Sequence, residues 1–402
     1  MLRTLPPTAA PIRFRDLISG MALAFSDNGA ETRFEDQIRK YFNVKHVFLV
    51  SSGKAAIYLT LLGLEQMSKR REVIIPAYSS FCLASAVART GLPIKLCDID
   101  PQTLDFDLAK LRSLINENTL AVIPVHNYGL ICNLKEIQNL ATGKGAHVVE
   151  DAAQAAGALF ENRKVGAIGD VGILSLGRGK NICALTGGVI LTDKDEFASS
   201  IEESLKKYPT PQMLSSFKPF ATGLGLSLFL NPERYALPAH LPLLDLGANI
   251  FDPDFKIARF PDLNAEVGRQ TFPWLERYNE IRIQNSRLFN DRLGVNEHLK
   301  IPRPDPDGKS VYLRFPIIYD KRDDREKAFR ELHRERLGAS TSYPTPLNPI
   351  IGFKKYLAGD DDFPGAQYVA DRILTLPTHP YVTQGDIEKI VSVINHLVSC
   401  KQ

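Results

Sequence analysis

Between residues 33 and 300 the chain alternates two hydrophobic patterns. RFEDQIRKYF carries apolar residues three to four apart, the period of an amphipathic helix, and the HVFLV that follows is a short continuous apolar run, as in a strand buried on both faces. The alternation goes on through GKAAIYLTLLGLEQM (helix), EVIIP (strand), SSFCLASAVARTG (helix stopped by glycine) and PIKLCDI (strand). DLAKLRSLI (helix), LAVIPV (strand), LKEIQNLATGKG (helix) and HVVED (strand) come next, then VGILSL and GGVILT as two further strands. Short apolar strands alternating with helices predict an α/β fold, with a mostly parallel central sheet and helices on both faces.

The texture changes after residue 205. Residues 205–262 mix prolines and glycines with apolar helix fragments, and AEVGRQTFPWLERYNEIRIQNSRLFNDRL reads as one long helix bent at Pro273. Beyond residue 310, YLRFPIIY and the Leu-Gly-Ala-Ser-Thr-Ser run are predicted strands flanking the helix DREKAFRELHRERLG, and GDIEKIVSVINHLV is a final helix. A chain of 402 residues exceeds what one core usually serves. We therefore expect a large domain over residues 1–260 and a smaller α+β domain over 261–402, with a boundary helix at about 261–293.

Charge narrows the field. With 49 basic and 46 acidic residues the net charge is +3, which gives no footprint for a nucleic-acid partner. The five cysteines (Cys82, Cys97, Cys132, Cys183, Cys400) are odd in number and lack CxxC spacing, which fits reduced thiols and a cytoplasmic location. The first residues, MLRTLPPTAAPIRFRD, interrupt any apolar stretch with prolines and charges, so no export signal is expected. PFATGLGLSLFLNP, residues 219–232, is too short to span a bilayer, which takes about 20 helical residues. A buried core or dimer helix suits the segment, and contact of residues 219–244 with a membrane or partner is left open.

In sheets of this kind, chemistry gathers beyond the carboxyl ends of the strands. Those ends read SSGK after HVFLV, PAYSS after EVII, HNYG after AVIPV and EDAAQ after HVV. Asp151 stands at such an end, with Gln154 three residues on; a plain helix cap is the alternative reading of that acid. Lys180 lies in a turn with Gly177, Gly179, Gly187 and Gly188, where close backbone approach to a bound group is allowed. A desolvated lysine of lowered pKa is the side chain that condenses with carbonyls.

Ser52, Gly53 and Lys54 open a helix directly after a strand, a natural phosphate site because the first N–H groups and the helix dipole point outward. They do not form a Walker loop, since Ala55 stands where Ser or Thr would be needed. The eight histidines form no HxH or HxxxH pair, so no metal site is expected, and no GxSxG elbow occurs. A phosphate-binding helix start, an acid at a strand end and a lysine in a glycine turn together suit pyridoxal 5'-phosphate (PLP).

From about residue 33 onward the chain resembles the DegT/StrS-type sugar aminotransferases of PLP fold type I. The matching words are FEDQIRKYFNVKHVFLVSSGKAA, EVIIPAYSS, AVARTGLPIKLCDIDPQTLDFD, VIPVHNYG, VVEDAAQAAGALFENRKVGAIGDVGILSLGRGKN, GGVILT, YPTPL and FPGAQYVADRILTLPTHPYVTQGDIEKIV. The resemblance implies that Lys180 holds the cofactor aldehyde, that Asp151 partners the pyridine nitrogen and that Gln154 lies against the cofactor's 3'-oxygen. It implies a phosphate cradle of Ser175 with Ser52, Gly53 and Lys54, and a homodimer whose active sites are shared between subunits. It further implies transfer of an amino group from glutamate or glutamine to a nucleotide-linked keto sugar in cell-surface polysaccharide or secondary-metabolite biosynthesis. A non-catalytic regulator or scaffold of the same fold and a PLP-dependent sugar dehydratase are the alternatives; in such dehydratases histidine replaces the lysine. Three single positions depart from the family pattern: Lys54 replaces the usual Thr, Gly177 a frequent His, and Ser80 the aromatic that commonly stacks on the cofactor, leaving Tyr78 or Phe81 for that face. Two segments also depart, GMALAFSDNGAETRFED lacking the usual Gly-x-x-Thr-Gly-Pro and FKIARFPD replacing the Asn-Tyr-Arg approach to the long helix.

Overall fold

The structure is a computed structural model that describes residues 3–26, 29–209, 217–236, 250–294, 296–359 and 361–399. Residues 237–244 of the apolar segment, and Cys400, lie outside the described residues.

The strands in chain order are β1 (His46–Val50), β2 (Glu72–Pro76), β3 (Ile94–Cys97), β4 (Thr119–Val122), β5 (His147–Asp151), β6 (Leu159–Phe160) and β7 (Arg163–Lys164). They continue with β8 (Val171–Ser175), β9 (Gly188–Thr192), β10 (Leu299–Lys300), β11 (Gly308–Lys309), β12 (Arg314–Tyr319) and β13 (Ile373–Pro377). A seven-stranded sheet has the order β1-β9-β8-β5-β4-β2-β3. Neighbours from β8 to β3 pair in parallel, while β9 is antiparallel to both β8 and β1. Every strand but β9 therefore points its carboxyl end at the same rim.

Alternation along each strand divides the core in two, because successive side chains of a strand point to opposite faces. Phe48 and Val50 of β1 join Ile173 and Ile190 in one cluster, whereas Val47 and Leu49 join Leu174, Val189 and Leu191 in another. Helix Gly53–Met67 covers the first face with Ala55, Ala56, Leu59 and Leu61, and helix Ala30–Phe42 covers the second with Phe34 and Ile38. Gly188 matters for the site. A Cβ there would stand 2.3 Å from the Ser52 carbonyl oxygen, so only glycine lets β9 lie this close to the end of β1.

The second sheet, β10-β12-β13, is antiparallel. Phe315, Ile317 and Tyr319 of β12 face a core built with Leu374 and Leu376 of β13 and with Phe289, Ile387, Ile390 and Ile394 of the flanking helices Leu275–Leu293 and Gln384–Ser399. Here the structure corrects the sequence reading. The Leu-Gly-Ala-Ser-Thr-Ser run is no strand and keeps a single bridge, Ser340 to Thr375. ILTLP at β13 takes the strand position; it follows helix Pro364–Arg372 without any punctuating glycine or proline, which hid it. The long helix is also broken: helix Asp262–Thr271 packs on helices Phe14–Ser26 and Ala30–Phe42, a tight turn spans Phe272–Trp274, and helix Leu275–Leu293 continues. Pro273 lacks the N–H an unbroken helix would need there. Among the described residues no helix is long and apolar enough to cross a membrane.

Candidate active site

The parallel strands bring the chemistry-bearing residues to one rim. Asp151 is the last residue of β5, Ser175 the last of β8, and Ser52 follows β1 and caps the next helix, its Oγ accepting from the Ala55 N–H at 3.1 Å. Lys180 lies in the connection from β8 to β9.

Ser175 and the helix start are neighbours. A Cβ on Gly53 would stand 3.5 Å from Ser175 Oγ, and the N–H groups of Gly53 and Lys54 carry no hydrogen bond among the described residues. Unpaired donors beside a hydroxyl form a cradle for a phosphate. The Lys54 side chain is engaged elsewhere. Its ammonium is 3.4 Å from the Asp252 carboxylate and 4.7 Å from the Phe255 ring centre, so toward the cradle Lys54 offers its backbone rather than its charge.

Lys180 is half-buried, and burial pushes its amine below the ordinary lysine value. Asp151 and Cys82 oppose that shift, while the Arg314 cation adds to it. Asp151 is 7% exposed and accepts one hydrogen bond, from the Ala153 N–H at 3.1 Å. Burial raises its carboxyl above the usual range, against the pull of Lys180, the Ala153 N–H and His126. The two groups lie within Coulombic reach of each other without an ion-pair contact.

Gln154 is held at both ends of its amide. Its Oε1 accepts from the Tyr128 N–H at 3.2 Å and its Nε2 donates to the Tyr343 hydroxyl at 3.0 Å. Tyr128 and Tyr343 stack with ring centres 6.2 Å apart, and the Tyr128 and Tyr78 hydroxyls are 2.8 Å apart. Of the two aromatics named for the cofactor face, Tyr78 is thus locked inside this cluster, its hydroxyl also accepting from the Tyr343 N–H at 2.7 Å. Phe81 is half-buried and immediately precedes Cys82, which is exposed and within Coulombic reach of Lys180.

Sequence reasoning missed Tyr128, Tyr343, Arg314 and Arg282. The HNYG strand end and the YPTPL and YLRFPIIY words contain the first three, but no local spacing links them to Lys180. Arg282 is fully buried; its guanidinium donates to Asn279 Oδ1 at 3.0 Å, to the Ala9 carbonyl at 3.2 Å and to the Lys180 carbonyl at 3.5 Å. It fixes the backbone from which the Lys180 side chain projects.

The donor set fits a phosphorylated aromatic aldehyde. An amine of lowered proton affinity lies within Coulombic reach of a buried carboxylate, and the same rim carries a cradle of unpaired N–H groups and a doubly anchored amide.

Comparison with known proteins agrees with this. The model of the DegT/DnrJ/EryC1/StrS aminotransferase family matches residues 22–227 and 247–395. A GDP-perosamine synthase from Caulobacter vibrioides is 36% identical over 374 residues, covering 91% of this chain and 89% of its own. An Acidithiobacillus ferrooxidans UDP-N-acetyl-3-dehydro-alpha-D-glucosamine 3-aminotransferase is 28% identical over 391 residues, 96% of this chain and 94% of its own. In fold, the chain matches an E. coli GDP-4-keto-6-deoxy-D-mannose-3-dehydratase with bound hydrated PLP at a TM-score of 0.79 and 20% identity, covering 98% of this chain and 100% of that one. With a family model spanning both sheets and a full-length relative in agreement, the chain belongs to the DegT/DnrJ/EryC1/StrS aminotransferase family.

Proposed function

We propose that this aminotransferase uses pyridoxal 5'-phosphate to carry an amino group from glutamate or glutamine to a keto sugar linked to a nucleotide. The observation that carries the reading is the Lys180 amine, depressed by burial and within Coulombic reach of the buried Asp151 carboxylate, on the strand rim that also carries the Ser52–Gly53–Ser175 cradle. The sugar class is supported by the GDP-perosamine synthase and UDP-sugar 3-aminotransferase among the relatives.

When bound, the cofactor supplies an electron sink for the carbon that loses its proton. Asp151 supplies the negative partner that keeps a proton on the ring nitrogen. Lys180 Nζ, neutral at lower pH than an ordinary lysine, would hold the aldehyde and, as a free amine, would take the proton from the donor's α-carbon. Gln154 Nε2 and the Tyr343 hydroxyl would be donors for the cofactor's 3'-oxygen, and the Gly53 and Lys54 N–H groups with Ser175 Oγ would receive the phosphate.

A homodimer with shared sites belongs to the same reading, as does a cytoplasmic location, supported by four free cysteines among the described residues. Twice the chain mass of 44.7 kDa is the solution mass expected, and a monomer at working concentration would exclude sharing.

Borohydride reduction of the native protein with PLP, followed by peptide mass mapping, should find the cofactor on Lys180. Steady-state kinetics with glutamate and a nucleotide keto sugar should give parallel double-reciprocal lines. An adduct elsewhere, or water elimination without amine transfer, would overturn the proposal.

A further inference from the structure

Arg314 opens β12, and the alternation of that strand decides where it looks. Phe315, Ile317 and Tyr319 face the core of the small sheet, so Arg314 shares the opposite face with Ile318, which packs into the large domain's core. The guanidinium thereby stands at the rim with Lys180, Tyr78, Tyr128 and Tyr343 within Coulombic reach.

It has no acid there. Its one hydrogen bond runs from Nη1 to Ser340 Oγ at 3.2 Å, and among the described residues no carboxylate pairs with it. Ser340 in turn contacts the Ser342 hydroxyl at 3.0 Å, so the neighbouring loop supplies neutral partners only. The cation is half-buried and burial works against its charge. A guanidinium has five donors in a planar fork that matches a carboxylate, and a desolvated one without a counter-ion is costly to keep unless an anion joins it.

Three anions enter the site in the proposed reaction with glutamine as donor: the cofactor phosphate, the sugar nucleotide's diphosphate and the donor's α-carboxylate; glutamate adds a γ-carboxylate, three bonds from the reacting carbon. The phosphate has its cradle at Gly53 and Ser175, whereas the neighbours of Arg314 belong to the Gln154–Tyr343 side. On a pyridoxal ring the aldehyde carbon lies between the 3'-oxygen and the phosphate arm, so with Gln154 at the 3'-oxygen, as in the proposed function, a cation within Coulombic reach of both Lys180 and Tyr343 would stand nearer the aldehyde than the phosphate. A diphosphate is separated from the reacting ketone by a sugar ring. An α-carboxylate is one bond from the carbon whose amine reacts.

We propose that Arg314 binds the α-carboxylate of the amino-acid donor and so selects α-amino acids for the first half-reaction. This rests on the transaminase reading above, and the two fail separately.

The test compares wild type, Arg314→Gln and Arg314→Lys as holoenzymes. The borohydride adduct at Lys180 should persist in all three; its absence from the wild type would sink the transaminase reading, not the role of Arg314. In Arg314→Gln the donor KM should rise at least about 30-fold, the loss that follows removal of one partner of a buried charge pair. The keto-sugar KM should stay within about threefold.

Binding of α-methylglutamate, whose α-carbon has no proton to lose, should weaken to the same degree by calorimetry. The corresponding α-amide should bind Arg314→Gln and wild type equally. Arg314→Lys should recover part of the affinity, because a point charge replaces the fork. Unchanged donor affinity in Arg314→Gln, equal losses for donor and sugar, or failure of that variant alone to take up the cofactor would each overturn the assignment.

Discussion

At the scale of single residues, the chemistry depends on two opposed burial effects. Burial disfavours the charged form of both groups, lowering Lys180 and raising Asp151, and each opposes the other's shift. Removing the Asp151 charge in Asp151→Asn should therefore lower the Lys180 pKa further, and removing the cation in Arg314→Gln should raise it. The rate at which cofactor-free protein takes up the aldehyde follows the neutral amine, so its pH midpoint should fall in the first variant and rise in the second. Shifts in the reverse sense would show that neither group faces Lys180. Asp151→Asn should also bind cofactor yet turn over at least about 100-fold more slowly, since an amide cannot stabilise a charged ring nitrogen. Lys180, Asp151 with Gln154, and the Ser52–Gly53 turn could be picked out as candidates from the residues because they sit at strand ends or in a glycine-rich turn, whereas Ser175 came from the family resemblance alone. Tyr343 was not picked out. It meets Gln154 from 189 positions away, a contact that only the tertiary fold creates.

At the scale of elements, hydrophobic period located all seven strands of the large sheet, because each is bounded by polar or glycine-bearing turns. It failed at β13, where a strand follows a helix directly, and at Pro273, where a tight turn interrupts what reads as one amphipathic run. Helix Ala30–Phe42 carries a feature of another kind. Burial, with Glu31 nearby, pushes Glu35 up to about 7, against the opposing pull of Arg39 and the Leu49 backbone. An acid raised in the folded state binds more protons there than when unfolded. Its stabilising contribution is complete below the unfolded value and is lost as pH rises to about 7. Glu35→Gln, neutral at every pH, should remove that loss: its melting temperature should equal or trail wild type near pH 5 and exceed it near pH 8. A constant difference between the two proteins across that range would show that Glu35 titrates normally.

At the scale of the whole molecule, an N-terminal strap links the β10-β12-β13 sheet to the lysine loop. The Leu5 side chain enters the core beside that sheet, and its N–H donates to the Arg336 carbonyl at 2.9 Å. Pro6 contributes a carbonyl 2.8 Å from the His379 ring, and Thr8 Oγ1 would lie 2.6 Å from a Cβ on Gly179, beside Lys180. The Ala9 carbonyl then receives the Arg282 guanidinium, which also donates to the Lys180 carbonyl. Among the described residues Arg282 has no acid partner, and burial brings it down to about 9, so its charge is tolerated through neutral acceptors, one of them supplied by the strap. Deleting residues 1–9 therefore removes an acceptor from a buried cation as well as the packing of Leu5. In an Arg282→Met background only the packing and the remaining strap contacts are lost. The deletion should cost more stability in the wild-type background than in Arg282→Met, by at least about 1 kcal/mol in urea unfolding, the size expected when a buried polar group loses its partner. Leu5→Ala should cost about 2–4 kcal/mol in both backgrounds alike, since a cavity in the core beside the β10-β12-β13 sheet does not involve the cation. If deletion and substitution instead add within about 0.5 kcal/mol, the strap and the lysine loop are energetically independent.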